Sequence, residues 1–169
     1  MQQIAMFEKI TSQRFAQDCA ACLPDTDATR AYDAVKLPVR ATAGSAGYDF
    51  FAPCDLTLAP GQSVRIPTAI RAKISEGWAL CIFPRSGLGF KYRLQLDNTV
   101  GIIDSDYYHA DNEGHIQIKV TNDSRDGKTL ILHAGDAFAQ GVFLPFGITQ
   151  DDCAQGVRTG GFGSTSQNK

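Results

Sequence analysis

From Ala34 onward the chain is cut by turn residues at short, repeated intervals: Ala43-Gly44-Ser45, Pro60-Gly61, Glu76-Gly77, Asp126-Gly127 and Gly135-Asp136. Between the cuts lie apolar segments suited to strands: VKLPVRA, GYDFFAP, DLTL, SVRIPTAIRAKI, ALCIF, TVGII, HIQIKVT, TLILH and AFAQGVFLPF. Many short strands at this spacing predict an all-β sandwich or barrel. In HIQIKVT, Ile116, Ile118 and Val120 alternate with Gln117, Lys119 and Thr121, so that strand is expected to have one wet face.

The first thirty-three positions differ in texture. A strand-like IAMFEKI leads to Thr11 or Ser12 as an N-cap, then to a helix with Phe15, Cys19, Cys22 and Leu23 on one face. Pro24 and the polar PDTDATR end that helix and read as a linker. The expected organisation is an N-terminal extension over 1–33, a β domain over 34–156 and a mobile Gly-rich arm over 157–169. The five cysteines are odd in number and scattered, which disfavours a disulfide framework, and the Cys19–Cys22 pair reads as packing rather than redox chemistry. A net charge of −2 without a block of Lys and Arg disfavours a nucleic-acid polymer as partner. No apolar run is long enough for a bilayer and no secretory leader is visible, so a cytoplasmic location without membrane attachment is expected.

Three stretches carry chemistry. Pro84-Arg85-Ser86-Gly87-Leu88-Gly89 follows an apolar strand and opens into a helical turn; Arg, a hydroxyl and free N–H groups suit a phosphate, and an ordinary strand-to-turn junction is the alternative. Gly160-Gly161-Phe162-Gly163-Ser164-Thr165 offers amides and hydroxyls to phosphate and a flat ring to a base, or is simply a polar tail. The third is GIIDSDYYHADNEGHIQIKV, residues 101–120, read as an extended hairpin. Asp104, where an apolar strand meets a turn, is either a turn residue or a general base on a rigid element, and Tyr107 has the shape to stack under a ring. His109, Asp111, Glu113 and His115 lack any recognised metal-ligand spacing. With no nucleophile elbow, Walker loop or Rossmann fingerprint, activated water is the expected nucleophile.

Taken in order, these pieces resemble the five motifs of the trimeric-type dUTP diphosphatase (dUTPase) family. They are Ala46-Gly47-Tyr48-Asp49-Phe50, Pro84-Arg85-Ser86-Gly87-Leu88, the run from Asn98 through Gly101, Ile103, Asp104 and Asp106 to Tyr107, Gly135-Asp136-Ala137-Phe138-Ala139-Gln140, and Gly161-Phe162-Gly163-Ser164-Thr165. The resemblance runs from about Val35 to the C-terminus. It implies a β jelly-roll subunit, a homotrimer with active sites shared between subunits, and Mg²⁺-dependent hydrolysis of dUTP to dUMP and pyrophosphate. By resemblance Asp104 is the base that activates water. Asn98, Gly101, Ile103, Tyr107 and Phe162 take the nucleoside. Arg85, Ser86, Gly87, Gln140, Arg158, Gly163, Ser164 and Thr165 take the phosphates, and Asp49 supports the site. The metal is carried by substrate phosphates and waters, with no direct protein ligand. Tyr107 under the sugar would select deoxyribose, and Asp106 is a turn or structural residue.

Two features depart from the family pattern. The stretch Tyr108-His109-Ala110-Asp111-Asn112-Glu113-Gly114 is longer than the usual two-residue turn, and Arg158 lies one position closer to Phe162. The alternatives are the related dCTP deaminase or a bifunctional enzyme, disfavoured because HIQIKVT has no carboxylate, and a dUTPase-fold regulatory binding protein.

Overall fold

The computed structural model of the chain describes residues 2–156, 158 and 160. The expectations placed on Phe162, Gly163, Ser164 and Thr165, and on the arm's mobility, therefore lie outside the described residues, whereas Arg158 lies within them. The N-terminal segment forms β1 (Ala5–Lys9), α1 (Ser12–Cys22) and α2 (Ala28–Ala34). Thr11 caps α1, its hydroxyl accepting from the Arg14 N–H, and Phe15 and Cys19 turn inward from the buried face. The stretch read as a linker, PDTDATR, runs into the first turn of α2, which Asp27 caps through the Arg30 N–H. Its seven residues are too few for a hydrophobic period to show.

The β domain comprises β2 (Val39–Arg40), β3 (Tyr48–Phe51), β4 (Leu56–Leu58), β5 (Ser63–Pro67), β6 (Ile70–Ile74) and β7 (Trp78–Pro84). It continues through α3 (Ser86–Tyr92), β8 (Leu94–Leu96), β9 (Gly101–Ile103), a 3₁₀ helix (Ser105–His109), β10 (Gln117–Asn122), β11 (Leu130–Leu132) and β12 (Ala137–Pro145). A five-stranded sheet in the order β2-β3-β12-β7-β9 faces a three-stranded one, β5-β10-β8, with the pairs β1-β6 and β11-β4 beside them. This is a jelly-roll architecture. Phe50, Leu80, Ile82 and Phe138 from the larger sheet meet Ile66, Leu94, Ile118 and Val120 from the smaller in one buried core. Each such side chain stabilises the fold by roughly 1.5–3 kcal/mol.

Two sequence expectations are corrected. SVRIPTAIRAKI is two strands, because the chain turns at Thr68 and Ala69, the latter at φ 62°. Pro67 offers no N–H to continue the ladder, and the Thr68 hydroxyl donates to the Ile116 carbonyl while accepting from the Ile70 N–H. Residues 101–120 are not a closed hairpin: β9 pairs with β7, whereas β10 pairs with β5 and β8. The two strands splay into different sheets, and a 3₁₀ helix and a turn lie between them.

Candidate functional site

The splay between β9 and β10 leaves a cavity of about 310 Å³. Asn98, Gly101 and Ile103 line one side, Ile116, Gln117 and Ile118 the other, with Arg65 and Lys119 at its edge. β9 is the edge strand of its sheet, and Gln117 and Ile118 pair with β5 alone, so backbone donors and acceptors of both strands border this space. Such unpaired main-chain groups are the kind that read a base edge. The approach to β9 is strained: Thr99 has φ 66°, and the Val100 N–H donates to the Asn98 carbonyl across it at 2.7 Å. A β-branched residue in this conformation is rare and holds Asn98 in a fixed pose at the cavity mouth.

Asp104 follows Ile103 directly, at the end of β9. Its backbone caps the 3₁₀ helix in extended geometry while its side chain makes no capping bond, so the carboxylate points outward. Arg158 meets it there, donating through Nη2 to Asp104 at 2.5 Å and through Nε to Asp106 at 2.9 Å. The same guanidinium lies 5.7 Å above the ring of Tyr107. Asp106 thus has a partner in the site rather than a turn role alone. Tyr107 is buried, and its hydroxyl donates to the His115 carbonyl at 2.8 Å and accepts from the Asn112 amide at 2.7 Å. Burial pushes its phenol above the ordinary value, against the Asn112 hydrogen bond and the Arg158 charge, so it stays neutral.

A second cluster lies where β7 runs into α3. Arg85 precedes α3 and forms an ion pair with Asp49 of β3. The N–H groups of Ser86 and Gly87 occupy the first turn, where no carbonyl of the helix can reach them. Gln140 of β12 sits beside Asp49 on one side and Phe83 on the other, and its amide donates to the Pro84 carbonyl at 3.2 Å. Gly47 lies opposite, where a Cβ would stand 2.7 Å from Gln140 Oε1 and push that amide out of its present pose. Arg85, Ser86, Gly87 and Gln140 are therefore neighbours, as a set of cationic and amide donors for an anion, with Asp49 accepting from the Arg85 guanidinium.

The two clusters are far apart within the chain. Leu80 pairs with Ile103, so Asp104 lies level with Ala79, and Arg85 is six residues further along β7. At the rise of a strand that is roughly 20 Å between backbone positions, more than twice the span of a triphosphate. Asp104, Tyr107 and Arg158 are brought together; Arg85 and Gln140 are not brought to them.

The supposed metal candidates disperse. His115 is fully buried, with Nδ1 2.5 Å from Asp18, and Glu113 accepts from Thr11. Among the described residues no three His, Cys, Asp or Glu side chains are arranged to hold a metal ion. Sequence reasoning missed Asn112, His115 and the cavity residues Arg65, Gln117 and Lys119. Only the alternation of β10 hinted at the last two, by marking positions that avoid the core.

A family model described as dUTPase matches residues 33–166. The chain is 40% identical over 134 residues to the deoxyuridine 5'-triphosphate nucleotidohydrolase of Lactococcus lactis subsp. lactis (strain IL1403), covering 78% of this chain and 88% of that protein. It is 42% identical over 142 residues to the enzyme of the same name from Desulfitobacterium hafniense (strain DSM 10664 / DCB-2), with 78% and 88% covered. The crystal structure of dUTPase from Streptococcus mutans superimposes with a TM-score of 0.63 at 35% identity, over 85% of this chain and 97% of that one. A dUTPase variant from phage phi11 of S. aureus, which coordinates a structural Mg(II) ion, shares the fold at TM-score 0.64 and 19% identity, over 91% and 98% of the two chains.

Proposed function

The chain belongs to the dUTPase family and is a dUTP diphosphatase, and from that premise we propose how its residues divide the work. The cavity between β9 and β10, opening beside Asp104, carries the reading. Uracil enters it and meets Asn98 and the exposed main chain of Gly101 and Ile103, where an added 5-methyl group finds no room. Tyr107 packs under deoxyribose, and a 2′-hydroxyl would clash with its ring. Asp104 takes a proton from water as the water oxygen bonds to the α-phosphorus. The bond from that phosphorus to its bridging oxygen breaks in line, and pyrophosphate leaves with dUMP as the other product. Removing dUTP in this way keeps uracil out of DNA and supplies dUMP for thymidylate synthesis.

Arg85, Ser86, Gly87 and Gln140 hold the phosphates, with Asp49 fixing the Arg85 guanidinium. Since they lie about 20 Å along β7 from Asp104 in the same chain, a complete site takes Asp104 from one subunit and the phosphate cluster from another. That separation supports sites shared between subunits over a self-sufficient monomer, and the homotrimer is what the family resemblance implies. Arg158 leaves the two carboxylates and turns to phosphate as substrate arrives, freeing Asp104 and uncovering Tyr107. Phe162, Gly163, Ser164 and Thr165 complete the enclosure by their resemblance to the fifth motif.

The carboxylates of Asp104 and Asp106 are engaged by Arg158 before substrate arrives, and the triphosphate itself brings the hard oxygen donors that suit Mg²⁺. Mg²⁺ is therefore assigned to the substrate phosphates and their waters, where it neutralises charge on the triphosphate. No helix of the described residues is long and apolar enough to cross a membrane. The free thiols suit the reducing cytoplasm.

The test is pyrophosphate release with Mg²⁺ from dUTP, dCTP, dTTP and UTP in parallel. Hydrolysis confined to dUTP is expected; ammonia release from dCTP, with dUTP or dUMP formed, would favour the deaminase, and equal hydrolysis of all four would reject the assigned pocket.

A further inference from the structure

The two segments without counterpart in the family pattern, the N-terminal extension and the long stretch after Tyr107, are bound to each other. Tyr108 donates to Glu8 of β1 at 2.6 Å. The N–H and hydroxyl of Thr11 both donate to Glu113, at 2.8 and 2.6 Å. Asp18 of α1 lies 2.5 Å from Nδ1 of His115. The His115 tautomer follows from its other nitrogen: Nε2 accepts from the Ala69 N–H at 2.9 Å, so the ring hydrogen is on Nδ1 and is donated to Asp18. Ala69 is itself held by the extension, its carbonyl accepting from the Ile10 N–H at 3.0 Å.

The far side of this contact is the substrate-facing ring. The His115 carbonyl and the Asn112 amide are the acceptor and donor that hold the Tyr107 hydroxyl. The loop between them is forced tightly over the 3₁₀ helix at Gly114, which has φ 69° and where a Cβ would lie 2.8 Å from the Tyr107 carbonyl oxygen. Tyr107 is thus fixed by residues 110–116, and those residues are fixed by β1 and α1.

We propose that the N-terminal extension is an intramolecular clamp, in which Asp18 through His115 and Thr11 through Glu113 are positioning residues for the sugar-facing ring of Tyr107. The inference rests on the reading that Tyr107 packs under deoxyribose. A hydroxyl is excluded only by a surface that cannot retreat, so sugar selection depends on how firmly the ring is held. A short turn can hold its own ends; a seven-residue connection cannot, and the extension supplies what it lacks.

The experiment compares kcat/KM for dUTP and UTP in full-length Asp18→Ala, Asp18→Asn and Tyr107→Ala, each checked for assembly and Tm. Asp18→Ala is expected to lower the dUTP-to-UTP ratio about tenfold or more while kcat for dUTP stays within about threefold. Asp18→Asn keeps an acceptor for His115 and is expected to restore the ratio. A purely structural role lowers Tm and leaves the ratio unchanged, and that result in folded Asp18→Ala overturns the clamp. Should Asp18→Ala not fold, Glu113→Ala, at the surface end of the same contact, carries the same comparison. If Tyr107→Ala leaves the ratio intact, the sugar reading itself fails. If Tyr107→Ala collapses it and the Asp18 and Glu113 variants do not, the clamp alone fails.

Discussion

Arg158 donates to Asp104 at 2.5 Å, so the residue assigned as base is tied to a cation of its own chain. The guanidinium also lies over the Tyr107 ring, which is the space assigned to the sugar in the proposed reading. On that reading it moves aside for the reaction, drawn by the triphosphate anion. Arg158→Ala frees the base but removes a phosphate cation. The expected result is a kcat/KM for dUTP reduced about 10- to 100-fold with assembly unchanged. A kcat/KM equal to or above the parent's would leave Arg158 only an occluding role.

Replacing Asp104 by Asn keeps the shape of the site and removes the proton acceptor. Turnover is expected to fall about 10²- to 10⁴-fold. Affinity for a non-hydrolysable dUTP analogue should stay within a few-fold, because the cavity at Asn98 and Gly101 is untouched. Near-normal kcat in single-turnover measurements would remove Asp104 from its role.

Acid should release the N-terminal extension before it unfolds the β domain. Burial pushes the Asp18 carboxyl up, but the hydrogen bond from His115, the Arg14 guanidinium and the Gln117 amide outweigh it and leave the group below its ordinary value. The Tyr108 hydrogen bond lowers Glu8, and Thr11 lowers Glu113 against its burial. A carboxyl depressed in the folded state stabilises that state above its unfolded value and loses the contribution as pH falls through the folded value. The ordinary values here are 3.8 for Asp18 and 4.5 for the two glutamates, so the contacts are complete above about pH 4.5 and fail progressively below it. Hydrogen exchange should show residues 11–22 losing protection in that range ahead of β7 and β12. Simultaneous loss would mean that the contact is not a separate unit.

The cysteines should divide sharply in reactivity. Burial pushes the Cys19 thiol up to about 12, so at pH 8 only about 10⁻⁴ of it is thiolate. Cys153 is exposed. Brief alkylation of the native protein followed by mass spectrometry is expected to label Cys153 first and spare Cys19 until denaturant is added. Early labelling of Cys19 would revive a redox role for the Cys19–Cys22 pair.

What was legible in the sequence was local. Alternation at Ile116, Ile118 and Val120 and turn pairs such as Asp126-Gly127 are short-range signals, and the strands they predict are present; so is the helix capped by Thr11. The break at Thr68–Ala69 was hidden because its cause, the Ile116 carbonyl, is 48 residues away. The same distance problem hid β9 leaving β10 for β7, and the docking of Asp18 on His115, 97 positions apart. The neighbourhood of Asp49, Arg85 and Gln140 was recoverable only by resemblance, since three strands meet there without any local mark.

Separation along β7 makes the strongest demand on assembly. If a site uses Asp104 of one subunit and Arg85 of another, two inactive variants can rescue each other. Asp104→Asn and Arg85→Ala each remove one half of every site in a uniform trimer. After mixing, partial unfolding and reassembly at equal amounts, a site is intact when its base comes from the Arg85→Ala chain and its phosphate cluster from the Asp104→Asn chain. In a ring of identical head-to-tail contacts each condition holds half the time, so about one quarter of parental activity is expected. Sites built within one chain would never contain both intact residues, because every chain in the mixture lacks one of them. Activity at the level of the separate variants, in a sample shown by native mass spectrometry to contain mixed trimers, would therefore place the whole reaction inside a single subunit and contradict the 20 Å or so that β7 puts between Asp104 and Arg85.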